Sequence, residues 1–258
     1  MRDNPVKTTL ASGGYAFGAM IFELFAPGIP QICRNAGADF VLYDMEHTGL
    51  SFETLKTQFA LCRGLRIVPM VRVPRGEYTW LARALDLGAR GVMIPMVESA
   101  DHARSIVEAC RYPPAGRRGA AFGFAQCDYL GGDVGEKIRR YHERTLIIGQ
   151  IETERGLAHV EEIAAVEGID VLWVGHFDLS NFMGIPARFD DPRFDAAMRQ
   201  VATTARQHGK AAGFMATDAQ WIARARDMGY TMIAGGTDTG LLELALKGMV
   251  GQIEGNSR

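Results

Sequence analysis

The sequence is poor in cysteine, poor in lysine and without any long apolar run. Its four cysteines, at 33, 62, 110 and 127, include no CxxC pair. That scatter excludes a disulfide-stapled scaffold and a thiolate zinc site, and leaves reduced thiols in or near apolar segments. The lysines number five: Lys7, Lys56, Lys137, Lys210 and Lys247. No apolar run approaches the ~18 residues needed to cross a membrane. The opening stretch MRDNPVKTTLASGG has no apolar core of signal-peptide length. Neither sign of charge dominates, with 28 basic and 30 acidic residues and a net charge of −2. A basic stripe for nucleic acid and an acidic disordered tail are both missing. These absences predict a cytoplasmic protein without a membrane or nucleic-acid partner.

What is present is alternation. Short apolar runs at 14–21, 39–44, 66–73, 90–96, 145–152, 170–175, 210–216 and 230–236 read as strands. Amphipathic stretches separate them, with Ser51 and Ser99 placed as helix N-caps and Gly64, Gly88, Gly168 and Gly229 as C-terminal stops. The strands are continuously apolar, as expected of parallel strands covered on both faces. Eight strand–helix units in 258 residues predict one (β/α)8 barrel domain spanning 1–258. A doubly wound sheet is the rival, but no GxGxxG follows the first strand. The irregular stretch 112–136, rich in Gly and Pro, is too long for an ordinary connection and reads as a functional loop or a subunit contact.

Chemistry in such a barrel gathers at the C-terminal strand ends. Strand two runs into YDMEHTG, bringing Asp44, Glu46 and His47. Strand three ends in Arg72, and Glu98 follows strand four. Strand five ends in Gln150 and Glu152, strand six runs into His176 and Asp178, and strand eight into Thr237 and Asp238. Structural readings stand beside these: an ion pair of Asp44 or Glu46 with Arg72, a hydrogen-bonded His47, a packed His176, Asp178 as an N-cap. Glu152 and Asp178, without a Cys or His pair, favour a hard divalent ion such as Mg²⁺, Mn²⁺ or Co²⁺. A 2-oxo acid fills the open positions, the ion acts as Lewis acid on its keto group, and Arg72 holds the oxygen as an enolate develops. His47 is then the acid or base, oriented by Asp44. A lysine-imine route is disfavoured, because no lysine stands at a strand's C-terminal end.

The segments DMEH (44–47), VRVP (71–74), LDLGARGVMIPMV (85–97), RYPPAGRRG (111–119), QIET (150–153) and GHFDLS (175–180) together resemble the HpcH/HpaI family of metal-dependent pyruvate aldolases. The resemblance implies a TIM barrel of the pyruvate/phosphoenolpyruvate type, assembled as a hexamer from three dimers. It implies His47 as general base, Arg72 as transition-state stabiliser, and Glu152 and Asp178 as metal ligands. Gln150 and the backbone at Phe177 match substrate contacts, and Asp44 matches a carboxylate near the catalytic histidine. Asp86 matches an aspartate that raises that histidine's basicity, although it precedes strand four at the other barrel end. There it acts through water or from a neighbouring subunit. His176 and Phe177 replace the proline and alanine common in dihydroxyheptenedioate aldolases, and AAFGFAQCDYLGG also departs from them. The expected reaction is reversible aldol cleavage of a 4-hydroxy-2-oxo acid to pyruvate, or a close 2-oxo acid, and an aldehyde. The alternative is an acyl-CoA lyase or thioesterase of the citrate-lyase β/malyl-CoA type, with Arg117 and Arg118 as the cluster for CoA phosphates.

Overall fold

Eight parallel strands close on themselves in the order β1 to β8 in the computed structural model, which describes residues 1–255. The chain runs α1 (Pro5–Ala11), β1 (Ala16–Ile21), α2 (Ile29–Asn35), β2 (Phe40–Asp44), α3 (Phe52–Leu61), β3 (Val68–Arg72), α4 (Tyr78–Asp86) and β4 (Gly91–Ile94). It continues through α5 (Ala100–Cys110), α6 (Val134–Arg144), β5 (Leu146–Ile151), α7 (Glu154–Ala158), α8 (Val160–Ala164) and β6 (Val171–Val174). It ends with α9 (His176–Phe182), α10 (Pro192–Gln207), β7 (Ala211–Met215), α11 (Ala219–Met228), β8 (Met232–Thr237) and α12 (Asp238–Gly255). All eight expected strands are present, each starting one or two residues later than the apolar run suggests. Ser51 and Ser99 cap α3 and α5 by accepting from the backbone N–H of Thr54 and His102. Among the described residues no helix is long and apolar enough to cross a membrane.

The strand period of two sorts the barrel interior from its outer face. Phe40 and Leu42, Val68 and Met70, Leu146 and Ile148, and Val171 and Trp173 fill the inside. Tyr43, Val71, Ile147 and Leu172 pack outward against the helices. Trp173 takes so much of the interior that a Cβ on Gly213 of the next strand would lie 2.2 Å from its ring. At the N-terminal end Val6 and Leu10 of α1 join this interior cluster. Asn4 anchors that plug by donating to the carbonyls of Arg90 (2.9 Å) and Arg144 (2.8 Å), which precede β4 and β5. One further step of two toward the other end replaces apolar side chains with Asp44, Arg72 and Gln150.

The stretch 112–136 is fastened to the outside of the barrel. The Arg118 side chain is fully buried, its guanidinium 4.3 Å from the Tyr141 ring and 4.8 Å from the Tyr112 ring. It donates to Asp86 at 2.5 Å. Asp128 binds Arg2 at 2.7 Å and Arg144 at 3.5 Å. The last residues of the stretch already belong to α6.

Candidate active site

Asp44 ends β2 fully buried, which is tolerable because each of its oxygens is used. Its carboxylate accepts from Arg72 Nε at 2.5 Å and from the backbone N–H groups of His47 (2.9 Å) and Glu46 (3.2 Å). The DMEH turn therefore wraps around the Asp44 carboxylate, as an Asx turn does. Arg72 Nε also lies 3.2 Å from Glu46 Oε2, and its guanidinium sits 5.5 Å from the centre of the Phe22 ring. The His47 side chain is 53 % exposed, with Nε2 3.6 Å from Glu46 Oε2. This corrects one expectation. Asp44 holds the backbone of His47, not its ring, because its oxygens are taken up by Arg72 and the two amides; Glu46 is the carboxylate that faces the imidazole.

Across the mouth, Glu152 follows β5 and is 1 % exposed. Its Oε1 accepts from the Met96 backbone N–H at 2.8 Å and its Oε2 from the Gln150 side-chain amide. Met96 presents that N–H from a left-handed backbone (φ 53°), which a non-glycine residue adopts at a cost. A Cβ at Gly175 would lie 2.2 Å from Glu152 Oε2 and 2.7 Å from Gln150 Nε2, so a larger residue there must push both side-chain ends aside. Burial pushes the Glu152 carboxyl up to about 7, against the hydrogen bonds from Gln150 and Met96 and reinforced by the charges of Glu46 and Asp178. Burial raises Glu46 to about 7 as well, partly offset by Arg72 and reinforced by Asp44 and Asp178. Gln150 Oε1 is buried with no hydrogen-bond partner among the described residues.

A cavity of about 220 Å³ lies over this floor, lined by His47, Arg72, Gln150, Trp173, Gly175, Phe177, Asp178 and the apolar Met20, Phe22 and Met215. None of the five lysines lines it. Several carboxylates face one guanidinium, so the donor set is short of positive charge. Among the described residues no group of three or more His, Cys, Asp or Glu is arranged as a ligand cluster. Buried Glu152, raised further by the charges of Glu46 and Asp178, is a carboxylate that a bound hard cation would relieve.

Residues 20–245 match the family model described as HpcH/HpaI aldolase/citrate lyase. The chain belongs to this family. A hydroxypyruvate/pyruvate aldolase of Roseovarius nubinhibens is 34% identical over 240 residues, covering 93% of this chain and 92% of that protein. A 4-hydroxy-2-oxo-heptane-1,7-dioate aldolase of Shigella sonnei is 30% identical over 247 residues, covering 96% and 94%. A solved HpcH/HpaI aldolase from Desulfitobacterium hafniense DCB-2 superposes with a TM-score of 0.92 at 28% identity, over 96% of each chain.

In this HpcH/HpaI chain not every candidate reaches the cavity. Asp86 ends α4 on the N-terminal side of the barrel, paired with Arg118. Arg118 itself is buried under two tyrosine rings, so it offers nothing to CoA phosphates. His176 does border the cavity, but it is packed among Phe177, Phe214 and Phe189 with ring centres 4.6, 5.2 and 5.3 Å away, and burial pushes its imidazole down to about 4. Asp178 is not an N-cap; Gly175 takes that position and Asp178 lies in the first turn of α9. Asp238 accepts from the backbone N–H groups of Phe22 (3.0 Å), Glu23 (3.0 Å) and Leu24 (2.6 Å), and so fixes the loop after β1. Sequence reasoning gave Glu46 only an ion pair with Arg72, which the structure shows, and gave no role to the Met96 amide or Gly175. Glu46 and Gly175 carried a signal, lying inside DMEH and GHFD; nothing about a methionine announces a left-handed backbone.

Proposed function

We propose that this protein cleaves a 4-hydroxy-2-oxo acid, reversibly, into pyruvate or a close 2-oxo acid and an aldehyde. It is a carbon–carbon lyase of the HpcH/HpaI family. One observation carries the reading: a guanidinium and an imidazole line the same small cavity as a carboxylate of a cation-poor pair. The relatives are named for hydroxypyruvate/pyruvate or for a 4-hydroxy-2-oxo diacid, and their shared part, a short 2-oxo acid, is the donor we assign.

In this reading Glu152 and Asp178 hold Mg²⁺, Mn²⁺ or Co²⁺. The bound ion supplies Lewis-acid polarisation of the keto group. Arg72, tethered through Nε to Asp44, turns the rest of its fork to the oxygen that gains charge as the enolate forms. His47 takes the proton from the 4-hydroxyl in cleavage and returns it in condensation. The Gln150 amide and the backbone at Phe177 orient the 2-oxo acid. Asp86, at the opposite end of its own barrel, serves the site of a neighbouring subunit. The oligomer is a hexamer of three dimers, a reading supported by α12, whose Leu242, Leu244, Leu246 and Met249 stand 50–65 % exposed. The acyl-CoA reading loses its main support with the burial of Arg118.

The test is metal-dependent release of pyruvate. The protein is treated with a chelator, freed of it, and assayed on short and long 4-hydroxy-2-oxo acids with and without Mg²⁺, Mn²⁺ or Co²⁺. Release restored by metal is the expected result. Full activity without metal, or an adduct trapped by borohydride with pyruvate, refutes the mechanism; no release from any such acid refutes the function.

A further inference from the structure

We propose that Glu46 is the positioning residue that sets the His47 imidazole against the substrate hydroxyl, an inference that rests on the aldolase reading above. His47 hangs from a fixed backbone, since Asp44 Oδ2 holds its N–H at 2.9 Å. That leaves its ring two side-chain torsions of freedom, and the ring is half exposed. Glu46 Oε2 stands 3.6 Å from Nε2, beyond hydrogen-bond reach but at ion-pair distance. Glu46 is anchored from two sides: its N–H donates to Asp44 Oδ1 at 3.2 Å, and Arg72 Nε lies 3.2 Å from the same Oε2. That oxygen is buried and has no hydrogen-bond partner among the described residues. A buried, anchored carboxylate oxygen aimed at a half-exposed ring fixes which way the ring turns. It directs Nε2 inward to Glu46 and leaves Nδ1 for the hydroxyl. Arg72 keeps its own hydrogen bond to Asp44 Oδ1 at 2.5 Å, so a change at Glu46 reaches the base while the charge stabiliser stays tethered.

Glu46 also borders a second, larger groove of about 690 Å³, whose walls include Arg75, Tyr78, His102 and Arg117.

The test uses Glu46→Gln, which keeps the shape and removes the charge, in the metal-loaded enzyme. Aldol cleavage is compared with oxaloacetate decarboxylation, which needs no hydroxyl proton removed. A positioning role predicts a kcat for cleavage lower by roughly tenfold to a hundredfold, a fraction of the full general-base contribution of about a hundredfold to ten-thousandfold, with KM and decarboxylation within about threefold. In a His47→Asn background the same change has no further effect on cleavage, because residues acting as a unit are not additive. Histidine-labelled NMR shows the His47 ring signal losing its single ordered position in Glu46→Gln. Unchanged cleavage, equal loss of both reactions, or a ring signal that stays put overturns the proposal. A wild-type protein with decarboxylase but no aldol activity instead refutes the aldolase reading on which it rests.

Discussion

Replacing Arg72 by lysine isolates what the guanidinium fork contributes. Arg72 is 6 % exposed, and its Nε lies 2.5 Å from Asp44 Oδ1 and 3.2 Å from Glu46 Oε2. A lysine ammonium placed there still neutralises Asp44, and Asp44 keeps its two backbone donors at 2.9 and 3.2 Å. The fold therefore survives, unlike in Arg72→Ala, where breaking a buried pair costs about 3–5 kcal/mol. A single ammonium cannot also reach the substrate oxygen, because its one nitrogen is committed to the carboxylates. Loss of one preorganised oxyanion donor lowers kcat by about a hundredfold or more, equivalent to roughly 2.7 kcal/mol. The assay couples pyruvate release to NADH oxidation by lactate dehydrogenase, with circular dichroism and a Mn²⁺ titration as controls. Both cleavage and oxaloacetate decarboxylation should fall, since both pass through the same developing charge. A folded, metal-binding Arg72→Lys enzyme with kcat within threefold of wild type makes Arg72 structural and refutes the reasoning.

His47→Ala should lose aldol cleavage by about a hundredfold or more while keeping most oxaloacetate decarboxylation; equal losses show that His47 holds substrate instead. Gly175→Ala should weaken Mn²⁺ binding at least about tenfold, because the added Cβ would meet Glu152 Oε2 at 2.2 Å; unchanged affinity separates Glu152 from the metal. His142 tests acid stability away from the site. Its Nε2 accepts from the Tyr112 backbone N–H at 2.9 Å, and burial, with Arg111, Arg118 and Lys7 nearby, pushes it from 6.5 down to about 4. Between those values the unfolded chain binds the proton and the folded one does not, so stability is full above about pH 6.5 and declines toward pH 4. Solvent screening limits the effect to about 1 kcal/mol, and His142→Gln should flatten that slope in denaturant titrations; an unchanged slope removes His142 from the acid response.

The barrel was legible because its pattern is local. Eight apolar runs separated by capped amphipathic stretches fix the elements, and parallel crossover connections fix their order. The strand-end candidates were legible for the same reason: period-two alternation carries Asp44, Arg72 and Gln150 onto the inner face that Leu42, Met70 and Ile148 occupy one step below. Partner choice was less legible. Asp44 and Glu46 lie two residues apart, and only the path of the turn decides which one sees the His47 ring. Met96 contributes through its backbone, where side-chain chemistry says nothing. Arg118 read as surface charge because its cover, Tyr112 and Tyr141, sits on both sides of an irregular loop.

The plug at the base of the barrel constrains how the chain is made. Asn4 can bond Arg90 early but must wait for Arg144, 140 residues later, before its second side-chain bond exists. The loop at Phe22 must wait 216 residues for Asp238. At synthesis rates of about 5–20 residues per second, that second interval is roughly ten to forty seconds. Through it β1 has a neighbour on one side only, since its other edge pairs with β8. The growing polypeptide therefore presents an open sheet edge on the ribosome until its final strand emerges, and conditions that slow elongation lengthen that exposure without altering the finished protein.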